Sequence, residues 1–322
     1  MEIQDKTFQG KEINLPHEFN LPNTVRTIVP QESLQVSQES NQEKAIFKCR
    51  DKELEIGTKT YIMGVLNLTP DSFYDGGEYS SLDKALKHVE QMIDEGADII
   101  DIGGESTRPG SLSINLDEEC ERVIPVVKEI SRSFDTIISI DTTKSGVAYE
   151  ALKEGASIVN DISGLRFDEK IADVAKEFDA AVVLTHTSSH PQDMQDHTDY
   201  SSLLDEILEA LRKSIRLAVE KGVNKQSILI DPGFGFGKTA KQNLILLKNL
   251  SRFCELGKPI LIGTSNKSFI GKTLDADINE RIEGTAATVA IGILNGASIV
   301  RVHDISYMKK VSKMVDAVLN VN

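Results

Sequence analysis

The chain has 322 residues, of which 40% are hydrophobic and 27% charged, and a formal net charge of −14. This describes a soluble globular protein long enough for one large α/β domain or two average ones, and it excludes a general nucleic-acid binder, which needs a basic face against the phosphates. Cys49, Cys120 and Cys254 are odd in number and far apart, so neither a disulfide framework nor a zinc-ligand set is expected, and a reducing cytosol suits them. No apolar run is long enough to cross a bilayer, and the polar N-terminus lacks a signal-peptide core, so a cytoplasmic location without membrane attachment is expected.

Residues 1–45 read as an N-terminal extension, partly disordered or packed on the surface, because Asn, Gln, Glu and Pro dominate and 31–40 is of low complexity. A small hairpin is expected within 46–60. From residue 61 strand and helix patterns alternate: strand 61–66, helix 82–95, strand 99–102, helix 118–131, strand 137–140, helix 145–153, strand 158–159 and a short helix 169–177. Strand 181–184, helix 203–221, strand 228–230, helix 241–250, strand 260–262, helix 281–294, strand 298–302 and helix 305–319 complete the series. Eight strands and eight helices over 46–322 predict a TIM (β/α)8 barrel. The alternative is a doubly wound open sheet, which normally has fewer strands and a glycine-rich phosphate turn after the first.

One phrase recurs three times: Glu95-Gly-Ala-Asp-Ile-Ile-Asp101, Glu154-Gly-Ala-Ser-Ile-Val-Asn160 and Asn295-Gly-Ala-Ser-Ile-Val-Arg301. Each closes a helix at glycine, runs through a β-branched strand and stops at a polar side chain. The strand exits are where a parallel α/β fold places its ligands. They carry Asn67, Asp101, Asp141, Asn160, Thr185-His186, Asp231, Thr264-Ser265 with Lys267, and Arg301 with His303. Any one of these is ordinarily a cap or turn residue; eight in succession suggest a site. Asp141, Asn160 and Asp231 suit a flat heterocycle with adjacent N–H donors, while Arg108, Arg301 and His303 suit a phosphate-like group.

The glycines of 103–110 allow main-chain approach to a ligand while Thr107 and Arg108 reach inward. The segment 231–239 imitates a nucleotide P-loop, but Gly233 and Gly237 enclose only three residues and position 232 is proline, so a nucleoside triphosphatase is excluded. Phe234 and Phe236 fit better as a wall for an aromatic substrate. His186, His190 and His197 share a polar loop and read as solvated rather than as zinc ligands.

Tyr61-Ile-Met-Gly-Val-Leu-Asn-Leu-Thr-Pro-Asp-Ser-Phe73, followed by Asp75-Gly-Gly77, resembles the first signature of dihydropteroate synthases, and Asp101-Ile-Gly-Gly-Glu-Ser-Thr-Arg-Pro-Gly110 their second. Ser139-Ile-Asp-Thr142, Asn160-Asp-Ile-Ser-Gly164, Asp231-Pro-Gly-Phe-Gly-Phe-Gly-Lys238, Lys267-Ser-Phe-Ile-Gly271 and Arg301-Val-His-Asp304 follow in that family's order, so the resemblance spans 47–322.

The resemblance implies a transferase of folate biosynthesis that joins 6-hydroxymethyl-7,8-dihydropterin diphosphate to p-aminobenzoate, giving 7,8-dihydropteroate and pyrophosphate. It implies Mg²⁺ on the diphosphate with Asn67 as its protein ligand, and diphosphate contacts from Arg108, Arg301 and His303. Asp141, Asn160, Asp231 and Lys267 would hold the pterin. Phe73, Thr107, Pro109, Phe236 and Ser268 would receive p-aminobenzoate. Asp141, Asp231, Lys267 and Arg301 would carry the catalysis, and Asp101 would support them from behind. A homodimer is implied, with 281–294 and 305–319 as candidate contact surfaces.

Two places depart from the family pattern. Asn266 stands where Arg usually precedes the lysine, and Thr185 and Thr187 flank His186 where methionines are usual. They keep a catalytically altered pterin-binding paralogue open. A pterin-dependent methyltransferase domain is the other alternative, although it has no use for a diphosphate site.

Overall fold

The structure is a computed structural model that describes residues 45–69 and 78–321. The expectation for residues 1–45 (Ala45 apart) and the assignment of Phe73 lie outside the described residues. The described chain opens with an antiparallel hairpin, β1 (Ala45–Cys49) and β2 (Lys52–Ile56). Phe47, Cys49 and Leu54 are buried in one apolar cluster with Tyr61, Met63, Ile99, Ile137, Ile158, Ala181 and Ile299. Polar links pin the hairpin in place: Arg50 Nη1 donates to the carbonyls of Leu152 at 2.8 Å and Ala156 at 2.9 Å.

Then strands and helices alternate as expected, with one additional helix between the last two strands. The elements are β3 (Tyr61–Asn67), α1 (Glu78–Asp94), β4 (Ile99–Gly103), α2 (Leu116–Ser133), β5 (Ile137–Asp141), α3 (Ser145–Lys153), β6 (Ile158–Asp161), α4 (Lys170–Glu177) and β7 (Ala181–Thr185). They continue with α5 (Leu203–Glu220), β8 (Ile228–Asp231), α6 (Ala240–Lys248), β9 (Ile260–Ile262), α7 (Ser268–Leu274), α8 (Ile282–Leu294), β10 (Ala297–Val302) and α9 (Ile305–Leu319). β3 to β10 form a closed parallel barrel in sequence order, with β10 returning to pair with β3. The fold is a TIM barrel. One element was not expected: α7 is only seven residues long and has Gly271 in its middle, so it carries no helical periodicity to read.

Local chemistry sets the boundaries. In the three repeated phrases Gly96, Gly155 and Gly296 have φ of +99°, +118° and +101°, the left-handed turn that ends each helix. Asn115 opens α2 by accepting from Glu118 N at 2.9 Å, and Thr239 opens α6 in a reciprocal capping box with Gln242.

Alternation along each strand sorts the side chains into two shells. Ile62, Leu66, Ile100, Ile102, Ile138 and Ile140 are among those facing outward to the helices. Inward residues differ by depth: the floor is the apolar cluster under which the hairpin sits, whereas Asp101, Ser139, Asp141, Asn160, Asp231 and Arg301 fill the upper lumen. Asp101 thus corrects the sequence reading, for it lies in mid-strand in register with Ser139, two residues short of the β4 exit. A Phe47→Ala substitution removes a fully buried ring from the floor and should cost about 3–5 kcal/mol of unfolding free energy in urea denaturation.

Candidate active site

One arginine organises the upper lumen. From β10, Arg301 Nε donates to Asp101 Oδ2 at 2.6 Å and Nη2 to Asp141 Oδ2 at 2.8 Å, tying β10 to β4 and β5. Asn160 Nδ2 donates to the same Asp101 oxygen at 3.1 Å. A carboxylate flanked by a guanidinium only accepts, so the amide of Asn160 has one sensible orientation, and its carbonyl oxygen is left for a ligand. Asp101 Oδ1 and Asp141 Oδ1 are buried without a hydrogen-bond partner among the described residues. Such atoms cost free energy until something meets them.

Burial also tunes the charges. Asp141 is pushed up to about 7 by burial, with Asp101 and Glu119 adding to the effect and Arg301 opposing it. Asp231, at the exit of β8, is pushed up to about 6 by burial, restrained by the Gly233 N–H at 2.7 Å and by the Lys267 ammonium. Lys267 is lowered to about 8 by burial and by Arg301, and its Nζ stands 4.3 Å from the Phe236 ring centroid. His303, whose Nδ1 lies 3.0 Å from Ser265 Oγ, is lowered to about 4 by burial and by the cations Arg301, Lys267 and Arg108. At pH 7 it offers an N–H rather than a charge.

Most of the residues expected from the sequence meet at this mouth. Asn67 ends β3 in register with Gly103, half-buried, and Asp141, Asn160, Asp231, Lys267, Arg301 and His303 follow round the rim. Thr107 is half-buried and Arg108 exposed in the loop after β4, whose Gly110 N–H reaches Pro191 O at 2.9 Å. Pro109 and Ser268 are exposed, and Phe236 is buried.

Two sequence readings are corrected. Phe234 is no wall: it is 1% exposed and tilted against Phe269 at 6.3 Å between the strands and the helices. His186 is not solvated, although His190 and His197 are exposed. Its Nδ1 meets the buried Lys238 Nζ at 3.1 Å, and that ammonium also donates to Gly233 O at 2.9 Å and Phe236 O at 3.0 Å. Lys238 therefore holds the loop that presents Phe236, a part that sequence reasoning missed. Its signal was a lysine enclosed by glycines and phenylalanines, which cannot stay exposed in so tight a turn.

The profile of the pterin binding enzyme family matches residues 63–303. The dihydropteroate synthase of Bacillus subtilis (strain 168) is 48% identical over 285 residues, covering 88% of this chain and 98% of its own length. The chain belongs to the dihydropteroate synthase family. It is therefore an enzyme of the transferase class. The crystal structure of a Clostridium difficile dihydropteroate synthase in the presence of pteroic acid superposes with a TM-score of 0.79 at 47% identity, covering 83% of this chain and all (100%) of that one. A Xanthomonas albilineans dihydropteroate synthase with 4-aminobenzoic acid gives 0.81 at 35% identity, covering 87% and 100%.

Local structure accounts for the departures from the family pattern. Asn266 has φ +58°, a conformation that Asn tolerates better than most residues, and its carbonyl accepts from Arg281 Nη1 at 3.0 Å. A guanidinium thus stands beside this backbone although position 266 supplies none. Thr187 turns into its own loop, donating to Ser189 O at 2.8 Å, and adds no hydroxyl to the pocket floor. Thr185 does face inward, in register with Asp231.

The raised Asp231 carboxyl gives a pH test. A carboxyl whose folded pKa lies above its unfolded value keeps its proton longer when folded, so its contribution favours the fold at low pH and is lost as pH rises from about 4 to about 6. The unfolding free energy of the wild type minus that of Asp231→Asn should therefore fall by roughly 2–3 kcal/mol between pH 4 and pH 7. Urea denaturation at the two pH values checks it.

Proposed function

We propose that the chain catalyses condensation of 6-hydroxymethyl-7,8-dihydropterin diphosphate with p-aminobenzoate, releasing pyrophosphate. The observation that carries this reading is the division of one mouth into a buried acceptor wall of Asp231, Asn160 and Asp141 and a cationic group of Lys267, Arg301 and Arg108. The acceptors take the N–H edge of the pterin, and the Lys267 ammonium donates to the ring's opposite side. Asp141 meets this edge with the oxygen that Arg301 leaves unpaired.

Arg108, Arg301 and the neutral His303 donate to the diphosphate. As the C–O bond breaks, its electron pair leaves with the diphosphate, and these donors stabilise the charge that develops there. The uncharged amine of p-aminobenzoate forms the new C–N bond and then releases a proton to solvent. It needs positioning more than a strong base, and Phe236, Thr107, Pro109, Ser268 and Phe73 are assigned to that pocket.

The residues fit Mg²⁺ as a companion of the diphosphate. Among the described residues no three His, Cys, Asp or Glu side chains are placed to hold a metal, and Asn67 offers one side-chain oxygen at the exit of β3. Mg²⁺ typically takes few protein oxygens and fills its shell with phosphate and water. Bound there, it would neutralise charge on the leaving group.

A homodimer is part of the same proposal. The sequence of α8 carries a single charge, Glu283, and Ile291 and Leu294 stay exposed, as do Leu244 and Ile245 of the adjoining α6. A helix apolar on all sides normally lies in an interface or a core. No described helix is long and apolar enough to cross a membrane, and action in the cytoplasm is proposed accordingly.

The direct test is pyrophosphate release from purified protein given both substrates and Mg²⁺. Release is expected, with loss on chelation. Pterin binding without pyrophosphate would favour the altered paralogue or the methyltransferase reading. Lys267→Ala and Asp231→Ala should each lower kcat/KM by at least about a hundredfold with far-UV circular dichroism unchanged; full activity in either removes the pterin-site assignment. Sedimentation velocity should give a dimer, and Leu294→Asp a monomer.

A further inference from the structure

Beneath the loop after β4 lies a buried ionic cluster that the proposed reaction does not use. Lys144, just beyond β5, places its Nζ 2.6 Å from Glu105 Oε2 and 2.5 Å from Glu119 Oε2. The three side chains are 21%, 14% and 1% exposed. Burial lowers the lysine's pKa, but the bonds to Glu105 and Glu119 outweigh it, and the ammonium is held above its ordinary value.

The position of Glu105 gives the cluster its meaning. The same Glu105 oxygen accepts from Ile114 N at 2.9 Å and Ser113 Oγ at 3.0 Å, closing 105–114 into a loop with Glu105 at its root. The preceding residue is gripped from behind: Arg122 Nη1 donates to Gly104 O at 2.8 Å, and a Cβ on Gly104 would lie 2.7 Å from Val123 and 3.2 Å from the Glu119 side chain. Within the loop, Ser111 Oγ lies 2.5 Å from Ser106 O and 2.7 Å from Arg108 O, and its single O–H is shared between these carbonyls. Ser111 thus ties 106–108 back on itself, above a root that is held by α2 and by Lys144. Between root and mouth is a cavity of about 130 Å³ lined by Glu105, Thr107, Glu119 and Asp141. Among the described residues the Lys144 side chain bonds to Glu105 and Glu119 and to none of the expected substrate contacts.

We propose that Lys144 is a positioning residue: by clamping Glu105 to Glu119 it sets where Arg108 and Thr107 stand over the bound substrates. This rests on the assignment of Arg108 to the diphosphate. Displacing a charged donor by about an ångström can cost up to a hundredfold in rate, so Lys144 acts on catalysis without reaching the substrate.

The test is a kinetic double-mutant cycle on the full chain. Lys144→Met keeps the stem and removes the charge. With the fold confirmed by circular dichroism, kcat/KM for both substrates should fall at least about tenfold. If Lys144 acts through Arg108, then Lys144→Met/Arg108→Ala loses no more than Arg108→Ala alone. Multiplication of the two losses overturns the proposal, because it marks an effect on the fold at large. So does unchanged kcat/KM in folded Lys144→Met. Should Lys144→Met fail to fold, Glu105→Gln takes its place in the cycle, since it retains an acceptor for Ile114 N and leaves Lys144 paired with Glu119. Wild-type kinetics in Arg108→Ala overturn the Arg108 assignment together with the proposal, whereas multiplied losses overturn the proposal alone.

Discussion

A guanidinium cannot be taken out of water without carboxylates to receive it, and the upper lumen of this barrel is organised by that constraint. Arg301 spans from β10 to Asp101 on β4 and Asp141 on β5, with Asn160 of β6 leaning on the same Asp101 oxygen. Burial first, and the second carboxylate of Asp101 after it, push Asp141 up to about 7 against the pull of Arg301 and of the Lys267 ammonium nearby. The cluster is held incompletely satisfied. Among the described residues one oxygen each on Asp101 and Asp141 lacks a partner, the residual demand of the network.

Such a network needs a dry, stiff container. The outer shell of isoleucine, valine and leucine fixes the strands against the helices, and the apolar floor keeps water from entering below. The loops above are held by separate anchors: Lys238 ties the loop of Phe236, Asn243 accepts from Gly235 N at 2.7 Å, and Lys144 ties the loop of Arg108. Rigid walls carry the acceptors and Arg301, and anchored loops carry Arg108 and Phe236.

Much of this was legible in the sequence because a parallel barrel writes its plan locally. Every strand is a short apolar run, every repeated phrase closes on a glycine of positive φ, and the polar residue that follows marks the lumen or its rim. What escaped depended on three dimensions. The depth of Asp101 follows from its inward phase in Ile99-Ile-Asp-Ile-Gly103, yet no run length reveals it. Phe234 and Phe236 differ by two residues in a glycine-rich turn, where neither helical nor strand periodicity applies, so one could not be told from the other. His186 and Lys238 bury each other across 52 positions of chain, a pairing with no local signature. Helix α7 was hidden for the opposite reason, being too short to show a period.

The hairpin under the floor has a wider consequence. With Phe47, Cys49 and Leu54 sealing the lower end, the barrel is a cul-de-sac rather than a tunnel, and traffic in and out shares one doorway. On the proposed placement of the two substrates, what binds against Asp231 and Asn160 must arrive before what rests higher, by Phe236, and the joined product must back out the way its parts came in. Kinetic order thereby becomes a matter of depth: a compound lodged on the upper shelf imprisons the lower ligand, and one that fills both levels holds the doorway against each incoming substrate.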